Sequence, residues 1–290
     1  MKLIIGCPIY KREWIFPYWA MAIERQSVPL NDVGFIFIVS SSDQGTISMI
    51  NRWKEVSKNS IGFVDIVVKD DLAHHEHDSK SRQWTMSKYH NMVNLRNTLL
   101  GEVRKYQPDY FFSLDSDIII HNTSTIELLI SHIKDGADAV SPLMFMTPIG
   151  TDFPSVMTWL DKSGDRANRA RNYPLGTYFK SDIIMAAKMM SKDTYNKVDY
   201  VFHSQGEDLG WCSDARKKGI TELYSASYIY APHIMHQEML EAFTKGGDPR
   251  ISVAFENMVK IWYLYIKLFN VIKTNLLYIQ ILKNGELNGF

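Results

Sequence analysis

Short apolar runs alternate along this chain with stretches of helical periodicity, and this pattern constrains the fold more than any other feature. The apolar runs have the length of strands and occupy residues 2–7, 34–40, 63–68, 110–114, 137–141 and 223–229. The helical patterns lie at 14–26, 46–58, 87–105, 124–133 and 207–218. Such alternation is typical of a mostly parallel sheet with crossover helices on both faces. We therefore expect a Rossmann-like α/β domain.

The predicted domain covers residues 1–250, and residues 251–290 are expected to form a C-terminal helical extension. Within the domain, the prolines and glycines of residues 145–175 predict a long irregular surface loop. In the extension, residues 255–283 are mostly apolar and aromatic, with a narrow polar stripe. A helix of this kind packs on the domain, makes a homo-oligomer contact or lies on a membrane surface. Its scattered lysines argue against a bilayer-spanning helix.

Charge and cysteine content narrow the class of protein. The 290 residues contain 32 basic and 32 acidic side chains, so the formal net charge is zero. Proteins that bind a phosphate backbone usually carry a basic excess, and the sequence therefore gives no strong nucleic-acid signal. The two cysteines, Cys7 and Cys212, lie far apart and suit a reducing compartment. We expect a cytoplasmic protein, with membrane association through residues 255–283 as an addition.

Asp115, Ser116 and Asp117 follow the apolar run 110–114 directly. Alternate residues of an extended segment point to the same side, so the two carboxylates are presented together. Open α/β sheets bind ligands at the carboxyl ends of their strands. A hard divalent cation relieves the repulsion between such carboxylates and holds diphosphate oxygens in its remaining positions. An ordinary strand-end turn is the structural alternative.

Four blocks of this chain resemble the GT-A glycosyltransferases. They are GCPIYKRE at residues 6–13, the helix and strand of residues 91–120, QGEDLGWC at 205–212 and APHIMHQE at 231–238. The blocks occur in the order of that family. They are most similar to the fungal mannan-polymerase type, and more loosely to the large inverting family that includes cellulose and chitin synthases. The resemblance implies a GT-A fold and a transferase that uses a nucleotide-sugar donor.

The resemblance also assigns roles to residues near the donor. Asp115 and Asp117 would hold the metal, most simply Mn²⁺ or Mg²⁺, and Asp115 and Ser116 would contact the donor. Further donor contacts are implied for Pro8, Tyr10, Arg12, Asp43 and Arg96. The preferred third metal ligand is His236, because it is the histidine that aligns best with the family's late histidine before an acidic residue, and His233 is the second choice.

Glu207 and Asp208 are the predicted catalytic residues. Carboxylates at a helix N-terminus are stabilised by the helix dipole, so a simple helix cap is the structural alternative. The functional interpretation is acceptor binding, or a general base that takes the proton of an acceptor hydroxyl. Asp208 is the predicted base if the reaction inverts the anomeric carbon; the sequence leaves retention and inversion open. Trp211, beside this motif, is the predicted acceptor-stacking residue.

Three other features have weaker interpretations. The run His74–Asp78 is predicted to be a solvated or acceptor-facing loop, since it lacks the spacing of a closed zinc site. Trp84 and Trp159 are candidates for stacking on a sugar, although an unplaced tryptophan more often belongs to the core.

The sequence thus predicts a metal-dependent glycosyltransferase, a hexosyl- or pentosyltransferase that uses a UDP- or GDP-sugar. Its acceptor, whether a glycan, a lipid-linked sugar or another hydroxyl, is open. One alternative is a sugar-nucleotide-binding or scaffolding protein of the same fold without transferase activity. A nucleotidyltransferase is less favoured, because the first loop lacks a glycine-rich, basic run for a triphosphate.

Overall fold

The computed structural model describes residues 2–70, 85–145, 154–161, 163–170 and 172–244. The strands are β1 (Leu3–Ile9), β2 (Val33–Ser40), β3 (Phe63–Lys69), β4 (Tyr110–Ser113), β5 (Ala139–Leu143), β6 (Met157–Trp159), β7 (Ala167–Arg169), β8 (Tyr178–Lys180), β9 (Lys188–Ser191) and β10 (Leu223–Tyr230). The helices are α1 (Phe16–Glu24), α2 (Gln44–Ser57), α3 (Met86–Tyr106), α4 (Thr125–Lys134), α5 (Lys192–Lys197), α6 (Glu207–Lys217) and α7 (Gln237–Thr244).

Eight strands form the central sheet in the order β3-β2-β1-β4-β9-β5-β10-β8. The pairs β3–β2, β2–β1, β1–β4 and β5–β10 are parallel. Strand β9 is antiparallel to both β4 and β5, and β8 is antiparallel to β10. The prediction of a mostly parallel sheet is therefore confirmed. Strands β6 and β7 form a separate two-stranded sheet.

Helices cover both faces of the sheet, as the alternation of strand side chains dictates. On β1, Ile5 belongs to a buried cluster with apolar residues of α1, α2 and α4. Its neighbour Ile4 belongs to a second cluster, with apolar residues of α3, α5 and α6. Strand β2 repeats the pattern with Phe35 in the first cluster and Ile36 in the second. Both faces of the central strands are therefore buried.

The order of the strands creates a switch point between β1 and β4. From β1 the chain moves outward through β2 to β3, and α3 then returns it to β4 on the other side of β1. The two strands are parallel, with Leu3 opposite Tyr110 and Gly6 opposite Ser113. Loops that leave their carboxyl ends diverge there and open a crevice, which is the usual ligand site of open α/β sheets.

Several short elements between residues 157 and 197 were missed by the sequence analysis. The predicted irregular loop at 145–175 contains strands β6 and β7, and β8, β9 and α5 follow it. Strand β9 has the sequence Lys-Met-Met-Ser, which is too short to show a period. The predicted extension 251–290 and the loop at 74–78 lie outside the described residues.

No helix within the described ranges combines the length and apolar content needed to cross a bilayer.

Two helical glycines give opposite predictions for the same substitution. A Cβ atom at Gly210 in α6 would overlap the carbonyl oxygen of Val201, whereas one at Gly101 in α3 would meet no atom within 4 Å. We expect Gly210→Ala to lower the free energy of unfolding by about 1–3 kcal/mol, because of overpacking. Gly101→Ala should raise it by roughly 0.5–1 kcal/mol, since alanine favours the helix. Urea denaturation of both variants measures this, and equal effects would contradict the packing described for α6.

Candidate active site

Asp115 and Asp117 lie at the carboxyl edge of the sheet, in a turn that follows β4. The Leu114 N–H donates to the Gly6 carbonyl (3.0 Å), which continues the pairing with β1 past the last residue of β4. The Ile118 N–H then donates to the Asp115 carbonyl (3.1 Å) and closes the turn. The Asp115 side chain is 25% exposed and that of Asp117 is 6% exposed. Asp115 therefore faces the crevice more openly than Asp117.

Asp117 contacts Arg12 and His233. The Arg12 Nη2 lies 3.0 Å from Asp117 Oδ2, and the His233 Nε2 lies 3.3 Å from Asp117 Oδ1. His233 reaches this place because its segment pairs with the turn: Ile119 N–H donates to the Pro232 carbonyl (2.9 Å) and Ile234 N–H to the Asp117 carbonyl (2.6 Å).

The preferred histidine of the sequence analysis was His236. In the structure, His233, the second choice, contacts Asp117 instead. His236 lies farther along the chain, with its Nδ1 3.8 Å from Glu238 Oε2 at the start of α7. The backbone pairing of residues 232–234 with the turn explains the difference, because it fixes which side chain faces the carboxylate.

Arg96 joins the two halves of the site from helix α3. Its side chain is 1% exposed, and its Nη2 lies 2.6 Å from Asp115 Oδ1 and 3.7 Å from Glu207 Oε1. Its Nη1 donates to the Ser113 hydroxyl (3.2 Å). The guanidinium also lies 5.8 Å from the centre of the Tyr200 ring. Arg96 was predicted to approach the donor, and in the structure it connects the strand-end carboxylate to helix α6.

Glu207 and Asp208 begin helix α6 and are both buried. Gly206 caps the helix with φ 129°, a conformation that favours glycine. Asp208 Oδ1 lies 2.5 Å from the Lys188 Nζ, and its Oδ2 accepts the Ala186 N–H (2.8 Å). Burial by itself would raise the pKa of Asp208, but the charges of Lys188 and Arg96 outweigh burial and hold the pKa below its usual value. Asp208 is therefore an ionised carboxylate whose two oxygens both have protein partners.

Glu207 has the opposite electrostatic character. Burial, followed by the neighbouring charge of Asp208, raises the pKa of Glu207 to about 7, although Arg96 opposes the change. Its carboxylate is 3.7 Å from the Arg96 guanidinium, a looser contact than the one Asp208 makes with Lys188. A carboxyl group with this pKa can hold or release a proton near neutral pH.

Lys188 is a functional candidate that the sequence analysis missed. It is fully buried at the first position of β9, with its Nζ 5.0 Å from the centre of the Tyr200 ring and 4.8 Å from that of Trp211. The available signal was a single lysine within the apolar run of residues 183–190. A buried lysine requires a partner carboxylate, which here is Asp208.

Trp211 does not lie at the surface where it was predicted to stack on an acceptor sugar. Its side chain is fully buried, because it lies on the face of α6 that packs into the second apolar cluster. The ring therefore has no surface on which an acceptor sugar could stack, and the expectation of such a contact was wrong. Trp159 is partly buried in β6, with its ring centre 6.0 Å from that of His203. Trp84 lies outside the described residues.

The first loop is held by Asp43, the cap of helix α2. Its Oδ1 accepts the Thr46 N–H (3.2 Å), and its Oδ2 accepts the Lys11 N–H (2.6 Å). Lys11 has φ 49°, so the chain turns sharply between Tyr10 and Arg12. Asp43 was predicted to contact the nucleotide, but it is buried and both oxygens accept backbone N–H groups. Pro8 and Tyr10 are half-buried at the end of β1, beside the crevice.

Charges of both signs are interleaved in this cluster. The carboxylates are Asp115, Asp117, Glu207 and Asp208, and the cations are Arg12, Arg96 and Lys188. Across the described ranges, no three His, Cys, Asp or Glu side chains stand ready-arranged as a metal site. The donor set of Asp115, Asp117 and His233, with carboxylate oxygens and an imidazole nitrogen, nevertheless has the chemistry that Mn²⁺ accepts.

The chain has the fold of the GT-A glycosyltransferases, which confirms the resemblance to that class. Its structural neighbours include GalNAc-T7, whose crystal structure contains UDP, GalNAc and Mn²⁺. That structure superposes with a TM-score of 0.53 at 10% identity, over 81% of this chain and 44% of the other. The sequence model described as "Glycosyltransferase family 25, N-terminal domain" matches residues 3–214. The chain belongs to glycosyltransferase family 25.

Curated relatives agree with this family. A glycosyltransferase 25 family member from Aedes aegypti is 22% identical over 254 residues, which are 86% of this chain and 41% of the relative. Procollagen galactosyltransferase 1 from Danio rerio is 22% identical over 128 residues, 44% of this chain and 21% of the relative. The chain thus spans about two fifths or less of the length of these relatives.

The raised pKa of Glu207 predicts a pH-dependent stability. A carboxyl group whose pKa is about 7 in the folded chain, against 4.5 ordinarily, binds its proton more tightly when folded. Its contribution to stability is therefore present below about pH 4.5 and is lost as the pH rises through 7. Glu207→Gln should become more stable relative to wild type over this window, by roughly 1.4 kcal/mol per unit of pKa shift. Urea denaturation between pH 4.5 and 8 tests this, with the exposed Glu55→Gln as control. A pH-independent difference would contradict the assignment.

Proposed function

We propose that this chain transfers a sugar from a nucleotide-diphosphate sugar to an acceptor hydroxyl, with a divalent cation, Mn²⁺ or Mg²⁺, as cofactor. The observation that carries the proposal is the convergence of Asp115, Asp117, Arg96 and Glu207 at the switch point of a GT-A sheet. Membership of glycosyltransferase family 25 supports the type of reaction. The UDP and Mn²⁺ bound to GalNAc-T7 agree with the donor class and the metal, although that likeness extends to the fold alone.

The donor side of the site is formed by the ends of β1 and β4. Asp115, Asp117 and His233 would hold the cation, which when bound offsets the negative charge on the departing nucleoside diphosphate. Pro8, Tyr10 and Arg12 flank the crevice where the nucleotide would lie. Asp43 supports this loop from below through its bond to the Lys11 N–H.

The acceptor side is formed by the start of α6. Glu207 has a pKa near 7 and a comparatively loose contact with Arg96, so it is suited to take the proton of an acceptor hydroxyl. Asp208, the base favoured from the sequence, is instead bound by Lys188 and the Ala186 N–H and positions the helix. An acceptor-side base is what inversion of the anomeric carbon requires, and NMR of the first-formed product tests that outcome.

A donor screen can identify which sugar is transferred. The name of the Danio rerio relative makes a galactosyl donor the first to test, within a screen of UDP- and GDP-sugars. Release of nucleoside diphosphate is measured with Mn²⁺ present and after its removal by EDTA. Slow hydrolysis of one donor, without an acceptor, is the expected result. Metal-dependent nucleotide binding without turnover of any donor would favour the alternative of a binding or scaffolding protein.

Asp115→Asn and Asp117→Asn should each lower nucleoside diphosphate release by roughly 100-fold, because each removes a charge that faces the donor and cation. The matched control is Asp193→Asn, whose carboxylate is 82% exposed on α5 and should leave release unchanged. Circular dichroism verifies that the variants are folded. Folded variants with wild-type release would overturn the proposed role of the two carboxylates.

A further inference from the structure

Both oxygens of the Asp117 carboxylate have a protein partner. Arg12 lies 3.0 Å from Oδ2, His233 lies 3.3 Å from Oδ1, and the side chains of all three residues are at most 7% exposed. A divalent cation binds a carboxylate through these same oxygens. The Arg12 guanidinium and a cation are therefore alternative partners for one carboxylate.

Charge makes the two partners incompatible unless further negative charge is present. A guanidinium and a divalent ion on one buried carboxylate repel each other strongly, since little water separates them. A nucleoside diphosphate brings that negative charge. Its oxygens also suit the guanidinium fork, which binds phosphate oxygens in pairs.

Hydrogen bonds hold the backbone around Arg12 in place. A change of partner from Asp117 to a diphosphate would therefore involve the Arg12 side chain alone. The Arg12 N–H donates to the Thr46 hydroxyl (3.3 Å), and the preceding Lys11 N–H donates to Asp43 (2.6 Å). Both acceptors belong to the first turn of α2 and its cap. The guanidinium lies 5.7 Å from the centre of the Trp14 ring.

We infer that Arg12 is a displaceable counter-ion of Asp117, which the diphosphate draws away as the cation binds, so that metal and nucleotide bind cooperatively. The inference rests on the proposed function for the identity of the two ligands. It assigns Arg12 two opposite effects: it weakens binding of the cation alone and strengthens binding of the nucleotide. A residue with a purely structural role would weaken both.

Titration calorimetry with Mn²⁺ alone, and then with UDP or GDP in the presence of Mn²⁺, separates these effects. We expect Arg12→Gln to bind Mn²⁺ alone about tenfold more tightly than wild type, and to bind the nucleotide about tenfold more weakly. Arg12→Lys keeps the positive charge and should retain the weak Mn²⁺ binding of wild type. The matched control is Arg52→Gln, which removes an exposed charge on α2 and should change neither affinity.

Thermal denaturation gives a second measurement, which holds even if Arg12→Gln is less stable. The increase in Tm on adding Mn²⁺ alone should be larger for Arg12→Gln than for wild type, because the cation replaces the lost counter-ion. If the wild-type protein binds Mn²⁺ and nucleotide together but Arg12→Gln does not bind Mn²⁺ more tightly, this inference is overturned and the proposed function is not. If the wild-type protein binds neither UDP nor GDP in the presence of Mn²⁺, the proposed function is overturned as well.

Discussion

The contact between Arg96 and its two carboxylates is the interaction on which the rest of the site depends. A guanidinium that is 1% exposed has lost nearly all of its hydration, and the Asp115 carboxylate at 2.6 Å compensates its charge, with Glu207 as a looser second contact at 3.7 Å. The two carboxylates come from different elements, the turn after β4 and the start of α6. A single side chain on α3 therefore links the turn after β4 to the start of α6.

The other buried charges of the site are also each compensated by a charge of opposite sign. Asp117 is compensated by Arg12, and Asp208 is compensated by Lys188. Because each charge is buried beside its opposite, removing any one would leave an uncompensated partner, which is costly in an interior of low dielectric. The polar site is thus part of the tertiary structure. The arrangement around Arg96 and Lys188 is set before any ligand binds, whereas Arg12 is the side chain inferred to change its partner. Preorganisation of this kind is what electrostatic stabilisation of a transition state requires.

Much of the fold could be predicted from the sequence, because its major strands and helices are periodic and separated by polar turns. The Asp115–Asp117 motif and the paired acids at the start of α6 could be predicted too, since each follows directly from a strong local pattern. The partners of these residues could not. Whether His233 or His236 contacts Asp117 depends on a bridge between segments more than a hundred residues apart. The burial of Trp211 likewise depends on which face of α6 meets the sheet, a fact that lies in tertiary packing.

The reversed direction of β9 has a consequence for how such an enzyme can diversify. Because β9 runs against β4 and β5, its first residue, Lys188, lies near the edge where its neighbours end. Between β5 and β9 the chain forms the separate β6–β7 sheet and the edge strand β8 of the central sheet, and it enters β9 from the edge where β4 and β5 end. In β7, the backbone of Ala167 exchanges hydrogen bonds with the Gln205 side chain, two residues before Glu207. Exchanges within β6 and β7 can therefore reshape the surroundings of Glu207 without replacing a strand of the central sheet. Laboratory evolution of acceptor preference has its natural starting point there.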